Sequence, residues 1–581
     1  MKNHDNILEL YLKLMPAQFF MVIASSLSGM INGLIIGNCL SGIAMVAMTL
    51  TQPFLNIITG ISSIISGGAG ILCGNYMGKG DAKKVNQVYT VSMITIAVSG
   101  AILTVLCYMF AGQIAVLLQA NSETMDETIR YIRGVSLGIL PMLILPCQMT
   151  FLQMSNKSNM SLFGTILLAV FSALFGMAAV RLTNSGIFGI GVSNSISRAL
   201  VVLILGLYML KHKELVCLEH GSFDAKMLKD IVVYGAPAAL AGILYSIRNI
   251  FINSTALDIG GTVAGNALSI QASCGGFYDA FQVGVGNTLT MLASVFVGER
   301  DSSSVKRVMK VAFVIGMICS VFKIVVSHLF GGQIAALFGA AADVIPMARE
   351  LLIFYAWSAP FNIITLCIVN IHQSMGRSRL SQAIYLVNCI LVPLFCCFVL
   401  TKFMGVRAIW SCYALAEIAT HILLYVVASA KKKAPAKNID DMIFLGKDFD
   451  TENKYSISIN NIDQVVEVAS SIEKFCKGLG IDDRRAMLAG LCMEEMASNV
   501  VEHGFIKDNK DNSIDIFTCV ENDEVSLRLR DNCVPFDPHN RLEMFNPEDP
   551  CKNIGIRMVS KIAKEMNYHV NFGMNILTIK L

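Results

Sequence analysis

Twelve apolar runs, each near the roughly 20 residues that a helix needs to cross a bilayer, occupy 14–36, 43–74, 87–110, 130–152, 160–182, 187–210, 231–257, 262–297, 308–330, 348–371, 380–400 and 405–429. Past residue 433 the pattern changes. Tyr455 to Ile459 alternates as a strand does, and 462–479 and 482–503 carry the spacing of half-buried helices. Strands are expected at 513–521 and 524–530, joined by Asn522-Asp523, a pair suited to a tight turn. A loop over 532–553, a helix over 555–566 and strands at 568–572 and 575–580 close the chain. The expected fold is a multi-span α-helical membrane protein followed by an α+β sandwich, one sheet covered by helices.

The apolar part repeats itself. AGQIAVLLQA at 111–120 matches GGQIAALFGA at 331–340, an offset of 220 that also pairs Gly80-Asp81 with Arg300-Asp301, and Gln153, Lys157, Ser158 and Ser161 with Gln373, Arg377, Ser378 and Ser381. Pro16 and Pro237 open the two halves at nearly that spacing. One offset held through three loops argues for duplication. With six spans per repeat the halves run parallel, related by an axis along the membrane normal, as in alternating-access transporters. The boundaries that follow are 1–220 and 221–430 for the repeats, 431–453 for a linker and 454–581 for the tail.

Charge divides the chain at the same place. Residues 1–433 hold 28 basic and 17 acidic side chains, and residues 434–581 hold 17 and 25. A tail this acidic argues against nucleic acid as a partner. Nineteen Lys and Arg fall in the termini and loops on one face of the spans and six on the other, so both termini are expected in the cytoplasm of a multi-pass cell-membrane protein. The first apolar stretch is expected to stay as an anchor, because further spans follow it. The 17 cysteines show no paired spacing in the tail and read as reduced thiols. Lys431-Lys432-Lys433 and Pro435 end the last span at the headgroups.

Ionisable groups inside spans are costly and mark candidate sites. Arg198, Arg248, Asp279, Lys323, Glu417 and His421 qualify. Asp279, with Tyr278 and Gln282 beside it, is the leading candidate for ion coupling, and the alternative is an ion pair with Arg248. Glu417 and His421, four apart on the last span, are placed to satisfy one another. Asn32, Asn253 and Gln271 are candidates for a polar cavity.

In the tail, Glu494-Glu495-Met496-Ala497-Ser498-Asn499 precedes His503-Gly504, and Glu495 and Asn499 share a helix face. That spacing suits a general base beside a Mg²⁺ ligand. Arg530-Asp531-Asn532-Cys533-Val534-Pro535-Phe536-Asp537-Pro538 and Asn553-Ile554-Gly555-Ile556-Arg557 follow within about 60 residues. No GxxxxGK[ST] loop is present, which excludes P-loop pumping.

Two resemblances gather these features. The proline-opened first helix, the Gly74-Asn75-Tyr76-Met77-Gly78-Lys79-Gly80-Asp81 loop, its counterpart Val297-Gly298-Glu299-Arg300-Asp301 and the six-plus-six layout resemble the multidrug and toxic compound extrusion (MATE) transporters over residues 8–430. The resemblance implies an antiporter that expels small organic, often cationic, compounds in exchange for Na⁺ or H⁺. Asn32, five residues before Gly37, replaces an aspartate common in bacterial members, so ordinary proton coupling does not carry over. The tail resembles the GHKL (Bergerat-fold) ATP-binding domain, most closely the anti-sigma-factor serine kinases. By that resemblance Glu495 activates the attacking hydroxyl or water and Asn499 holds Mg²⁺. Asp531 receives the adenine amino group, Pro535 and Phe536 begin the lid, and Asn553 and Gly555 open the phosphate-facing helix. Cys533 and Asn553 stand where those boxes often have glycine. A phosphoacceptor histidine is not expected, since none lies between His421 and His503. The expected protein is a transporter or sensor whose tail acts as a serine/threonine kinase on an anti-sigma-antagonist-type partner. The alternative is an ion-coupled multidrug antiporter that the tail gates on sensing nucleotide.

Overall fold

The computed structural model describes residues 6–40, 42–118, 120, 122–183, 185–212, 223–337, 341–437, 439–442, 453–505, 512–521, 523–538 and 554–581. Eleven helices among them are long and apolar enough to cross a membrane, or twelve when the pair Met125–Ser136 and Ile139–Met154, bent by 48°, counts as one span. The seventh and eighth expected spans, 231–257 and 262–297, are parted where expected, since the helical stretch Ala225–Tyr278 is broken at Gly261 (φ 62°). The eighth is itself interrupted at Asp279, after which the helix Ala280–Gly298 begins. Hydropathy does not register that second break, because apolar residues flank it.

The duplication is visible in the backbone. Helices that start at Ala82, Met125, Ser158 and Gly186 recur at Ser302, Ile345, Ser378 and Val406, each 220 residues on. Left-handed residues recur at the same offset: Gly80 and Arg300, and Asn156 and Gly376. The second pair closes its helices identically. Lys157 N–H donates to Leu152 O at 2.8 Å and Arg377 N–H to His372 O at 2.9 Å, with Asn156 and Gly376 each donating to the glutamine three residues back. This is the left-handed C-cap that satisfies terminal carbonyls.

The halves meet through a symmetric close approach. A Cβ on Gly78 would lie 2.0 Å from Val295 O, and one on Gly298 would lie 2.1 Å from Asn75 O, with Asn75 and Val295 themselves 220 apart. Only glycine lets the helices Gly42–Gly78 and Ala280–Gly298 come this near, as small residues do where membrane helices pack.

The tail forms its own compact unit. Five strands, β1 (Lys454–Ile459), β2 (Ile514–Glu521), β3 (Glu524–Asp531), β4 (Glu565–Asn571) and β5 (Met574–Lys580), make one antiparallel sheet in the order β1-β2-β3-β5-β4. The helices Asp463–Gly478 and Asp483–Gly504 bury Val465, Val468, Ile472, Ala486, Ala489 and Met493 with Ile514, Ile516, Leu527, Leu529 and Ile579 of the sheet. Asp482 caps the second helix, its Oδ1 accepting from Arg485 N–H at 3.0 Å. Asp523 takes the left-handed turn position between β2 and β3.

One boundary differs from expectation. The last helix covers Ile554–Ile562 rather than 555–566, and Glu565 and Met566 already pair with Lys580 and Ile579. The ladder to β5, with Lys580 Nζ 2.5 Å from Glu565 Oε2, outweighs the helical propensity of Ala563-Lys564-Glu565.

Candidate functional site

The cleft of the tail. Asp482 starts the helix Asp483–Gly504 so that its buried stripe, Ala489, Met493, Met496 and Ala497, faces the sheet. Asn499 lies on its rim. An open cleft is lined by Met496, Asn499, Val500, Gly504, Leu529, Asp531, Cys533, Val534, Phe536, Pro538, Tyr568 and Leu577, apolar side chains around a few polar ones, as in small-molecule sites. Asn499 Nδ2 donates to Glu495 O at 2.7 Å, which turns its Oδ1 outward. Gly504 packs against Cys533, since a Cβ on it would lie 3.0 Å from Cys533 Cβ.

Asp531 ends β3 and is 5% exposed. Its Oδ1 accepts from Cys533 N–H at 3.0 Å and from Asn575 Nδ2 at 2.7 Å. Burial raises its carboxyl pKa, and these hydrogen bonds oppose the rise. Asn575 also donates to Cys533 O at 3.1 Å and accepts from the Tyr568 hydroxyl at 3.0 Å. Tyr568 in turn accepts from Phe536 N–H at 3.0 Å. Burial pushes the Tyr568 phenol up to about 12, so the hydroxyl keeps its proton as a donor. These bonds hold the 531–536 segment over the cleft.

The third segment meets the first. A Cβ on Gly555 would lie 2.0 Å from Glu495 Oε2, so the Glu495 carboxylate sits directly against the start of the helix Ile554–Ile562. The motif residues expected to act together are thus brought to one place from separate elements: Asn499, Asp531 and Phe536 line the cleft, and Glu495 abuts Gly555. Pro535 is exposed and is not among the lining residues, whereas Pro538 is. Asn553 lies outside the described residues. Asn575 and Tyr568 escaped the sequence reading because they come from β5 and β4, far along the chain. The signal at Asn575 is a polar residue between Met574 and Ile576 in a strand, whereas Tyr568, between Asn567 and His569, carries no such signal.

The membrane cluster. Asp279, at the break between two helices, accepts from Lys323 Nζ at 2.8 Å through Oδ1 and from the Tyr355 hydroxyl at 2.5 Å through Oδ2. Lys323 is 7% exposed and lies 4.0 Å from the Tyr355 ring centroid. The pairing considered for Asp279 and Arg248 is therefore corrected. Arg248 instead lies over the rings of Tyr245 and Tyr413, at 4.8 and 5.3 Å. Residues 248 and 279 are near in sequence, but the break at Gly261 turns the intervening chain, and Lys323 from the next span takes the carboxylate.

Glu417 is also bonded differently from expectation. Its Oε1 accepts from Asn362 at 2.8 Å and its Oε2 from the Thr365 hydroxyl at 2.6 Å. Thr365 Oγ1 also lies 3.2 Å from His421 Nε2, so Glu417 and His421 meet through a threonine of the helix Ile345–Ser374. Asn253 is exposed and Gln271 half-buried. Asn32 belongs to the helix Asn6–Cys39, but its side chain lies outside the description.

Comparison with known proteins agrees with this division. The chain is 22% identical over 424 residues to the multidrug export protein MepA of Staphylococcus haemolyticus, covering 71% of this chain and 92% of that protein. Against the same protein of Staphylococcus aureus it is 22% identical over 414 residues, covering 69% and 90%. Among solved structures, the fold matches a MOP superfamily transporter from Pyrococcus furiosus characterised by the reverse polarity of its binding pocket (TM-score 0.69, 16% identity, 75% of this chain and 98% of that one). It also matches the Vibrio cholerae MATE transporter VcmN in its bent form (TM-score 0.67, 14% identity, 72% and 95%). The histidine kinase-like ATPase domain matches residues 460–581. The MatE family model matches residues 17–178 and 237–399, more than half of the chain, so the protein belongs to the MATE family and carries a histidine kinase-like ATPase domain at its C-terminal end.

Proposed function

We propose that the protein exports or senses small organic compounds through its MATE half, and that its tail binds ATP and Mg²⁺ and acts as a regulatory serine/threonine kinase. The observation that carries the tail's role is the convergence of three separate segments: Asn499 and Asp531 on one cleft, and Glu495 against Gly555. The cleft fits the nucleotide by its chemistry. Asp531, buried and held by Asn575, offers an acceptor for the adenine amino group. Asn499 Oδ1 offers a hard oxygen, and Mg²⁺ needs only one or two such ligands when phosphates and water supply the rest. ATP, when bound, supplies the phosphoryl group. Glu495 takes the proton of an incoming hydroxyl, and the free amides at the start of the helix Ile554–Ile562 stabilise negative charge beside it. Such transfer depends on positioning and charge neutralisation.

The partner we propose is an anti-sigma-antagonist-type protein phosphorylated on serine. The experiment is transfer of labelled γ-phosphate from ATP to a panel of such proteins by the full-length protein in nanodiscs. Serine labelling that Glu495→Gln abolishes is the expected result. ATP binding without transfer to any of them overturns the kinase reading.

A second reading, nucleotide gating of transport, has its own support. Residues Ile439–Met442, leaving the last span toward the tail, dock on the membrane unit: His372 Nε2 lies 2.9 Å from Met442 O, and Lys432 Nζ 2.8 Å from Asp441 Oδ1. His372 belongs to a span, so a movement of that span reaches the linker directly. ATP-dependent change in efflux that persists in Glu495→Gln would favour this reading. Resemblance to the MATE transporters makes Na⁺ or H⁺ the coupling ion, and the bias of Lys and Arg between the loops puts both termini in the cytoplasm.

A further inference from the structure

We propose that Arg248 anchors a binding site for an organic carboxylate inside the second half of the membrane unit. The proposal rests on reading that half as a binder of small organic molecules, and it names the charge those molecules carry.

Two carboxylates lie near Arg248, and each of their oxygens already accepts a hydrogen bond from another residue. Asp279 accepts from Lys323 and Tyr355, and Glu417 accepts from Asn362 and Thr365. Among the described residues no carboxylate lies in ion-pair reach of Arg248, and its Nε is buried without a hydrogen-bond acceptor. Among the described residues its contacts of chemical weight are the faces of Tyr245 and Tyr413. An uncompensated charge in such surroundings is costly, and the ring faces offset only part of that cost. The planar donor fork is still unmet.

What would meet it follows from shape. A guanidinium with its edge unsatisfied and its faces on aromatic rings receives a planar two-oxygen anion side-on, the bidentate geometry of arginine and carboxylate. Around it the wall is aromatic. Tyr245 packs edge-on to Tyr385 at 6.3 Å between centroids, and Tyr413 packs edge-on to Tyr355 at 5.1 Å. An apolar or aromatic body attached to the carboxylate therefore finds ring faces and edges. Among the described residues a cationic ligand finds Arg248 and Lys323 already present, and the Asp279 and Glu417 oxygens already engaged by other donors.

The test compares two probes with the same ring and chain, 1-pyrenebutyrate and 1-pyrenebutylamine, by equilibrium binding to the full-length protein in nanodiscs of uncharged lipid. Expected is saturable binding of the carboxylate, weakened about tenfold or more in Arg248→Gln, as loss of hydrogen bonds to a charged group predicts, and by less in Arg248→Lys, which keeps charge but not the fork. The amine should bind more weakly than the carboxylate, and Arg248→Gln should not weaken it further. Equal or tighter binding of the amine overturns the proposal, as does carboxylate binding unchanged in both variants. Thermal melting verifies that each variant is folded, and should Arg248→Gln be unfolded, Arg248→Lys alone decides. Binding is scored apart from efflux, so a protein that binds the carboxylate without moving it sustains this proposal while removing the exporter reading.

Discussion

Replacing Asp279 with asparagine isolates the Lys323 ammonium, and the cost can be worked from the contacts. The wild-type pair is 2.8 Å apart, with Lys323 7% and Asp279 31% exposed. Stranding one member of a buried pair costs about 3–5 kcal/mol. The lower end applies here, because Lys323 keeps the Tyr355 ring at 4.0 Å and asparagine keeps one oxygen as acceptor. About 3 kcal/mol of destabilisation is expected. Adding Lys323→Met removes the stranded charge while preserving volume, and contacting residues couple by about 0.5–3 kcal/mol, so the double variant should regain much of the loss. Adding Arg248→Gln instead should change stability only by as much as Arg248→Gln does in the wild-type background, because Arg248 does not touch Asp279. The assay is unfolding of the purified full-length protein in one detergent, by denaturant midpoint and by melting temperature. A double variant with Lys323→Met that is no more stable than Asp279→Asn alone would refute the reasoning, and rescue by Arg248→Gln beyond its effect in the wild type would restore the discarded pairing. If Asp279 also couples ion movement to transport, efflux in vesicles should vanish in Asp279→Asn and stay absent in the stabilised double variant.

Asn499→Ala should abolish Mg²⁺-dependent nucleotide binding or turnover in the full-length protein, and an unchanged Mg²⁺ titration would remove that assignment. Asp531→Asn should weaken adenine nucleotides more than guanine ones, because an acceptor is exchanged for a group that also presents donors; equal losses for both would count against adenine recognition. The same carboxyl sets a pH dependence: burial raises its pKa, so protonation removes the acceptor at a higher pH than for an ordinary aspartate near 3.9. ATP affinity should therefore fall as pH drops toward the acid range in the wild type and show a flatter profile in Asp531→Asn. Gly555→Ala must displace the Glu495 carboxylate that a Cβ would meet at 2.0 Å, so phosphoryl transfer should fall well over tenfold while nucleotide Kd changes little, which direct binding and single-turnover measurements separate.

The parts of this protein legible in the sequence are those set by local pattern. Hydropathy located the spans, and one offset exposed the duplication, because caps and loop turns such as Asn156 and Gly376 are local chemistry repeated. The motifs of the tail announced their elements, since Glu495 and Asn499 share a helix face whatever surrounds them. Partners from distant segments were not legible. Lys323 stood among the intramembrane charges, yet nothing in the chain between residues 279 and 323 says that these two meet, and nearness in sequence favoured Arg248. Asn575 and Tyr568, which hold Asp531 and the 536 amide, occupy strand positions whose register depends on the β3–β5–β4 pairing. The shortened last helix is the same lesson at smaller scale: ladder bonds to Lys580 and Ile579 outweighed a helical stretch.

Duplication and chemistry are distributed differently along the membrane half, and that difference bears on how it works. The two repeats share helix starts, left-handed caps and the reciprocal glycine contacts of Gly78 and Gly298, the features that a rocking pair of bundles needs to move as matched bodies. Ionisable groups within spans do not follow that symmetry. Asp279, Lys323, Arg248, Glu417 and His421 all lie in the second repeat, while Arg198 stands in the first, its pair at the 220 offset being Ile418. Asn32 leaves the first helix without its expected carboxylate. A duplicated scaffold thus carries its intramembrane charge mainly in the second bundle, with Arg198 as the exception in the first. Because a Cβ on Gly78 or Gly298 would collide with a backbone carbonyl of the other helix, Gly78→Ala or Gly298→Ala should force the two helices apart and lower the stability of the membrane unit, which unfolding of the purified protein in one detergent would measure.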